Sequence, residues 1–82
     1  MASFFYVYLL ESVSDPDRHY VGFTEDLKER LRKHNTGSTP HTAKYLPWRL
    51  KTYVGFSDRD AALDFERYLK SGSGRAFAKK RL

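Results

Sequence analysis

Three side chains able to act on a phosphate or a metal ion occur where two helical patterns place core residues. Leu27, Arg30, Leu31 and His34 fall, at about 100° per residue, within an arc of roughly 100°. A guanidinium and an imidazole therefore share the face that anchors one short helix. Glu66 stands inside the Ala62, Phe65, Leu69 stripe of a second helix. A lone charge at a stripe's edge ordinarily snorkels to water. Three such groups on two helices instead suggest each other as partners, because buried charges persist when paired, hydrogen-bonded or bound to a metal. Two histidines and a carboxylate invite a metal triad, but Arg30 beside His34 argues against a second cation there.

The elements that must position these groups can be read along the chain. Ser3 to Glu11 alternates Tyr6 and Tyr8 with Phe5, Val7 and Leu9, which predicts a strand covered on both faces at the centre of a sheet. Ser14-Asp15-Pro16-Asp17 is a turn, and His19 to Phe23 returns as the second strand of a hairpin. Thr24 is the expected N-cap of the helix Glu25 to His34, with Glu25 and Asp26 in its first turn. Asn35 to Pro47 reads as a loop with one helical turn near Thr42 to Tyr45. Arg49 to Phe56 should be a half-exposed strand, with Leu50, Thr52, Val54 and Phe56 on one side. Asp58 to Lys70 is the second helix, with Ser57 and Asp60 as a capping box. Ser71-Gly72-Ser73-Gly74 then reads as a hinge before a basic helix, Arg75 to Leu82, capped by Ser73 and anchored by Phe77. The expected fold class is α+β: a three-stranded, mostly antiparallel sheet flanked by helices in the order β-β-α-β-α-α.

Eighty-two residues suffice for one core and not two. With no cysteine, neither disulfides nor thiolate zinc sites can staple that core, and six Tyr, six Phe and one Trp must supply its area. Phe4 to Leu10 is too short to cross a bilayer and lacks the flanks of a signal peptide, so a cytoplasmic protein with no membrane partner is expected. The net charge of +5 is unevenly spread. Arg67 to Leu82 carries six cations and no acid, and Lys28 to Lys51 has Glu29 as its only acid. Such asymmetry favours a polyanion such as DNA or RNA over an acidic small molecule. The alternative is a basic surface that serves solubility alone.

The residues then meet a family pattern over nearly the whole chain. Tyr20-Val21-Gly22 matches one half of a paired tripeptide signature, and Tyr6-Val7-Tyr8 matches the other with Tyr6 in place of glycine. With Arg30, His34 and Glu66 in order behind them, the chain resembles the GIY-YIG nuclease superfamily, in particular its small single-domain bacterial branch. Further similarity lies in His34-Asn35-Thr36-Gly37, His41-Thr42-Ala43-Lys44-Tyr45, Pro47-Trp48 and Gly72-Ser73-Gly74-Arg75. The resemblance implies one endonuclease-like domain over residues 1–82. Many members place an asparagine late in the chain, whereas Asn35 is the only one here, leaving Ser71 and Ser73 as stand-ins by position. Well-studied members carry an added DNA-binding domain, and none is expected within these 82 residues.

The resemblance implies phosphodiester hydrolysis by Tyr8, Tyr20, Arg30, His34 and Glu66. Glu66 would hold one Mg²⁺ or Mn²⁺, weakly without substrate, and Arg30 would donate to the scissile phosphate, which its fork geometry suits. Tyr8 is the first choice to orient and deprotonate water, with Tyr20 or His34 as relay or alternative base. Gly22 would allow close backbone approach. A tyrosine's reference pKa is about 10, so a phenolate at pH 7 requires roughly 3 units, about 4 kcal/mol, from its surroundings. Lys28, Lys33, His41, Lys44, Arg75, Lys79 and Lys80 are the expected nucleic-acid contacts, and the expected partner is DNA in branched or flapped form, acted on by a monomer with room for a protein partner. Two other readings stay open: a nucleic-acid-binding module without turnover, and a scaffold subunit.

Overall fold

An eight-residue strand, β1 (Phe5–Ser12), forms the centre of the sheet because both of its faces are apolar enough to be covered. The structure, a computed structural model, describes residues 3–82. β2 (His19–Thr24) and β3 (Trp48–Phe56) flank β1 in the order β2-β1-β3, both antiparallel to it. Helices α1 (Leu27–Asn35) and α2 (Pro40–Ala43) connect β2 to β3, and α3 (Arg59–Lys70) and α4 (Gly72–Arg81) follow. The element order agrees with the α+β expectation, apart from the one-turn α2, which lies two residues upstream of its expected place.

The sheet separates two cores. On one face Val7 packs with Ala62 and Leu69, joined by Phe5, Val21, Phe23, Phe56 and Phe65. On the other, Tyr8, Leu10 and Trp48 pack under Leu27 and Leu31 of α1. Leu50 belongs to this second core although Phe56, of the same parity on β3, belongs to the first. The simple alternation expected for β3 therefore fails. Leu9 pairs with Thr52 and Leu10 with Leu50, so Lys51 is an extra residue, a β-bulge that turns the lower half of the strand over.

All three helices expected from the sequence form, but each starts elsewhere than its predicted cap. Asp26, not Thr24, caps α1 by accepting from Glu29 N at 3.1 Å. Thr24 is the buried last residue of β2 and uses its hydroxyl on Asp26's own backbone N–H, 3.0 Å away. Asp58, not Ser57, caps α3, accepting from Ala61 N at 3.0 Å. Ser71, not Ser73, caps α4 through Gly74 N at 3.1 Å. The glycine-serine segment is thus the first turn of α4 and not a hinge. Its tightness has a steric origin: a Cβ on Gly74 would lie 1.7 Å from the Tyr68 carbonyl oxygen. Phe77 meets Phe65 edge to face and lies tilted against Tyr68 but stays partly exposed, and Ala78 and Leu82 supply the contact with the core.

Candidate active site

The register of the sheet creates the first feature of the site. Tyr8 on β1 pairs with Gly22 on β2. A Cβ at Gly22 would lie 2.2 Å from the Tyr8 hydroxyl, so the phenol occupies the space that any other residue there would fill. α1 closes over this point. Its stripe brings Leu27 and Leu31 onto the second core and buries His34 to 2% exposure, matching Tyr8 at 2%.

Tyr8 Oη and His34 Nε2 are 3.0 Å apart, and His34 Nδ1 is 3.0 Å from Thr42 Oγ1. Thr42 is itself buried and donates its hydroxyl to the Thr39 carbonyl, 3.2 Å away. That donation leaves Thr42 Oγ1 as an acceptor for His34 Nδ1–H, so Nε2 carries the lone pair and accepts from the Tyr8 hydroxyl. The result is a directed chain from Tyr8 through His34 and Thr42 to a backbone carbonyl. Two further bonds fix Thr42's surroundings: Trp48 Nε1 donates to the Thr42 carbonyl at 2.7 Å, and Asn35 clamps Trp48's backbone through its Oδ1 at 2.7 Å and its Nδ2 at 2.9 Å. Among the described residues, no buried side-chain nitrogen or oxygen lacks a partner.

The electrostatics hold both ring systems neutral. Burial pushes the Tyr8 phenol up to about 12, with help from Tyr20 and Glu66, against the opposing pull of Arg30. Burial also depresses His34 below the ordinary imidazole value, and the Arg30 charge depresses it further. Both shifts follow from the cost of a charge in a low-dielectric site. The lowering that a phenolate at pH 7 requires is therefore not supplied by these residues: Arg30 acts in that direction, but desolvation outweighs it.

Tyr20 completes the aromatic wall, its ring 4.8 Å from His34 and 6.3 Å from Tyr8 between centroids. Arg30 is half-buried, with Nη1 at 3.5 Å from the Phe23 carbonyl. Glu66 approaches from α3 with its side chain 19% exposed. Its hydrogen-bond partner is Lys70 Nζ at 3.1 Å, one helical turn away, and not Arg30, so the mutual pairing suggested by the sequence does not form. Among the described residues no three His, Cys, Asp or Glu side chains are grouped to hold a metal ion. A hard cation that keeps most of its positions for water and phosphate needs fewer. Glu66, with Oε2 bonded only to a flexible lysine, fits that role.

A family model for the GIY-YIG catalytic domain matches residues 4–81. The chain belongs to the GIY-YIG family. Over 75 residues it is 44% identical to the structure-specific endonuclease subunit SLX1 of Candida dubliniensis, covering 83% of this chain and 26% of that protein. It is 42% identical over 65 residues to the SLX1 homolog of Giardia intestinalis, covering 74% and 18%. A UPF0213 protein of Streptococcus pyogenes is 38% identical over 72 residues, covering 87% of this chain and 76% of its own length. The chain thus spans about a quarter or less of the SLX1 proteins and most of the bacterial one.

Within this GIY-YIG domain Tyr8, Tyr20, Arg30 and His34 come together on the α1 side of the sheet, and Glu66 on α3 is near enough for its charge to act on Tyr8. The basic residues do not form one cluster. Lys28 and Lys33 are exposed on α1, and His41 and Lys44 at α2. Arg75 and Lys79 of α4 line a separate groove with Arg18, Lys51 and Lys70, while Lys80 does not line it. Ser71, one stand-in for the absent late asparagine, uses its hydroxyl as the α4 cap and on the Tyr68 carbonyl at 2.6 Å. Sequence reasoning missed Thr42 as the third member of the chain. Its signal was the proline at the first position of α2, which starts a helical turn two residues before Thr42.

Proposed function

We propose that this domain hydrolyses phosphodiester bonds in branched or flapped DNA as a divalent-metal-dependent endonuclease. The observation that carries the reading is the directed Tyr8–His34–Thr42 hydrogen-bond chain beside Arg30 and Glu66. That the SLX1 relatives are structure-specific endonuclease subunits supports the substrate class and leaves room for a protein partner.

The chemistry follows from the protonation states. With Tyr8 at about 12, a free phenolate at pH 7 lies about 5 units away, about 7 kcal/mol, too unfavourable to serve as a standing base. His34 removes that requirement. As the Tyr8 oxygen takes a proton from an attacking water, its own proton passes to His34 Nε2, where the imidazolium is held by Thr42 at Nδ1; the new P–O bond forms as the bond to the leaving alcohol oxygen breaks, and that oxygen takes its proton from solvent. Arg30 donates to the phosphate as its charge builds, and Tyr20 shields the imidazole from bulk water. Glu66 would hold Mg²⁺ or Mn²⁺, which when bound supplies Lewis-acid polarisation of the phosphate.

The test is cleavage of a flapped DNA with Mg²⁺ by the parent and by Glu66→Gln. Glu66→Gln should lose cleavage and keep DNA binding at least as tight, since an amide is a poor ligand for a hard cation and its neutrality lessens repulsion of phosphate. Full metal-dependent activity in Glu66→Gln, in a preparation free of contaminating nuclease, would make the assignment wrong. The raised Tyr8 pKa favours a second reading, a binding module without turnover; binding of the parent to flapped DNA with no cleavage in either Mg²⁺ or Mn²⁺ selects it.

A further inference from the structure

On the face of the sheet opposite the Tyr8–His34 pair, the elbow between α3 and α4 stands away from the strands and leaves an open groove of about 790 Å³. Its floor is aliphatic: Leu9 of β1, Val21 of β2, Leu69 of α3 and Ala78 of α4. Its rim is cationic: Arg18 before β2, Lys51 of β3, Lys70 of α3, and Arg75 and Lys79 of α4. Asp17 is the single acid among the lining residues. Lys51, Arg75 and Lys79 have no carboxylate within ion-pair distance among the described residues. Lys51 is here because of the bulge: strand alternation would place it on the face of Tyr53 and Tyr8, and the extra residue turns it toward α4.

We infer that this groove binds a few nucleotides of single-stranded DNA, the unpaired arm of a flapped substrate. The inference rests on the proposed nuclease reading and narrows it from branched DNA in general to substrates with a free strand. An aliphatic floor under a cationic rim complements a strand whose bases are apolar on their faces and whose every linkage carries a charge. The volume is that of a site for a drug-sized ligand, about 300–1,000 Å³, so a duplex could lie across the mouth without touching the floor. Two of its lining residues also touch the candidate active site. Tyr20 and Lys70 line it, and Tyr20 faces His34 while Lys70 is bonded to Glu66. A strand whose phosphate is held at Arg30 would have the groove at hand for its continuation.

The floor residues all carry methyl groups, which makes the test direct. Methyl NMR spectra of the full chain, without metal so that nothing is cut, are recorded on titration with hexathymidylate, with a blunt duplex, and with a polyglutamate peptide. Hexathymidylate should shift the Leu9, Val21, Leu69 and Ala78 methyls, while the blunt duplex should leave them in place. Equal shifts with the duplex, or with polyglutamate, overturn the inference, the latter in favour of an acidic protein segment. Lys51→Ala combined with Lys79→Ala, both at exposed positions, should reduce the slope of log K against log salt for hexathymidylate by about 1.4, from about 0.7 per phosphate contact on single strands. An unchanged slope in a variant with native methyl dispersion also overturns it. Absence of cleavage by the parent would sink the nuclease reading while leaving the methyl map intact, so the two failures are distinguishable.

Discussion

The two faces of one sheet are built on different principles. Under α3, Val7, Ala62 and Leu69 are buried with aromatic neighbours and no buried polar side chain takes part in the cluster. Under α1, the buried set includes a phenol, an imidazole, a hydroxyl and an indole, and each polar atom has a partner. An apolar layer gains stability from area and tolerates small shifts. A buried polar chain gains little net stability per bond but is costly to break, so it fixes positions and protonation states. Two outer strands joined by one central strand let the first face hold the fold while the second holds the aromatic and cationic part of the site, with Glu66 reaching it from α3.

Substitutions on the two faces should therefore separate rate from stability. On the polar face, His34→Ala or Tyr8→Phe should lower the cleavage rate by roughly 10²- to 10⁴-fold, the usual range for loss of a general acid–base group, with the fold retained by circular dichroism. On the apolar face, Val7→Ala, buried in the same core but outside the groove, should reduce unfolding free energy by about 1–3 kcal/mol in denaturant titration while leaving the rate per folded molecule unchanged. If Val7→Ala slows cleavage as much as His34→Ala does, the division between faces is false.

Alkaline titration gives the next largest effect. Tyr8 has a folded value of about 12 against about 10 unfolded, so the native state holds its proton longer. The stability this contributes is fully present below pH 10 and is lost as pH rises through 12, a fall of about 3 kcal/mol. Tyr8→Phe should abolish that dependence, and a parent whose stability is flat from pH 9 to 11.5 would contradict the burial argument. The acid side has the opposite sign. His34 is depressed in the folded protein, so the unfolded chain takes up the proton first, and stability should decline as pH falls below about 6.5 toward the folded value. His34→Gln should flatten this window. The smallest effect is expected from the exposed α1 lysines: Lys33→Ala should lower the salt slope for duplex DNA by about 0.9, if one phosphate contact is lost, and leave the fold untouched.

The sequence by itself determined which residues would be brought together from afar. Arg30 and His34 share a helical face with Leu27 and Leu31, and Glu66 shares one with Phe65 and Leu69, because hydrophobic periodicity states which way a helix must turn. Strand composition likewise placed β1 at the centre, with Tyr8 facing away from Val7. What periodicity cannot state is where one element ends against another. The caps shifted because Thr24 turned its hydroxyl to the Asp26 backbone and the carboxylates of Asp26 and Asp58 met the free N–H groups, a choice made by local hydrogen bonding. The turn at α4 tightened because Gly74 sits against a carbonyl. The bulge at Lys51 moved a cation to the opposite face and Leu50 into the second core, which depends on how β3 pairs with β1. Thr42 became the end of the His34 chain, and the Tyr8 phenol rose to about 12, through burial that no linear pattern records. Solvent exclusion belongs to the whole assembly of neighbours, and only the tertiary structure assigns it.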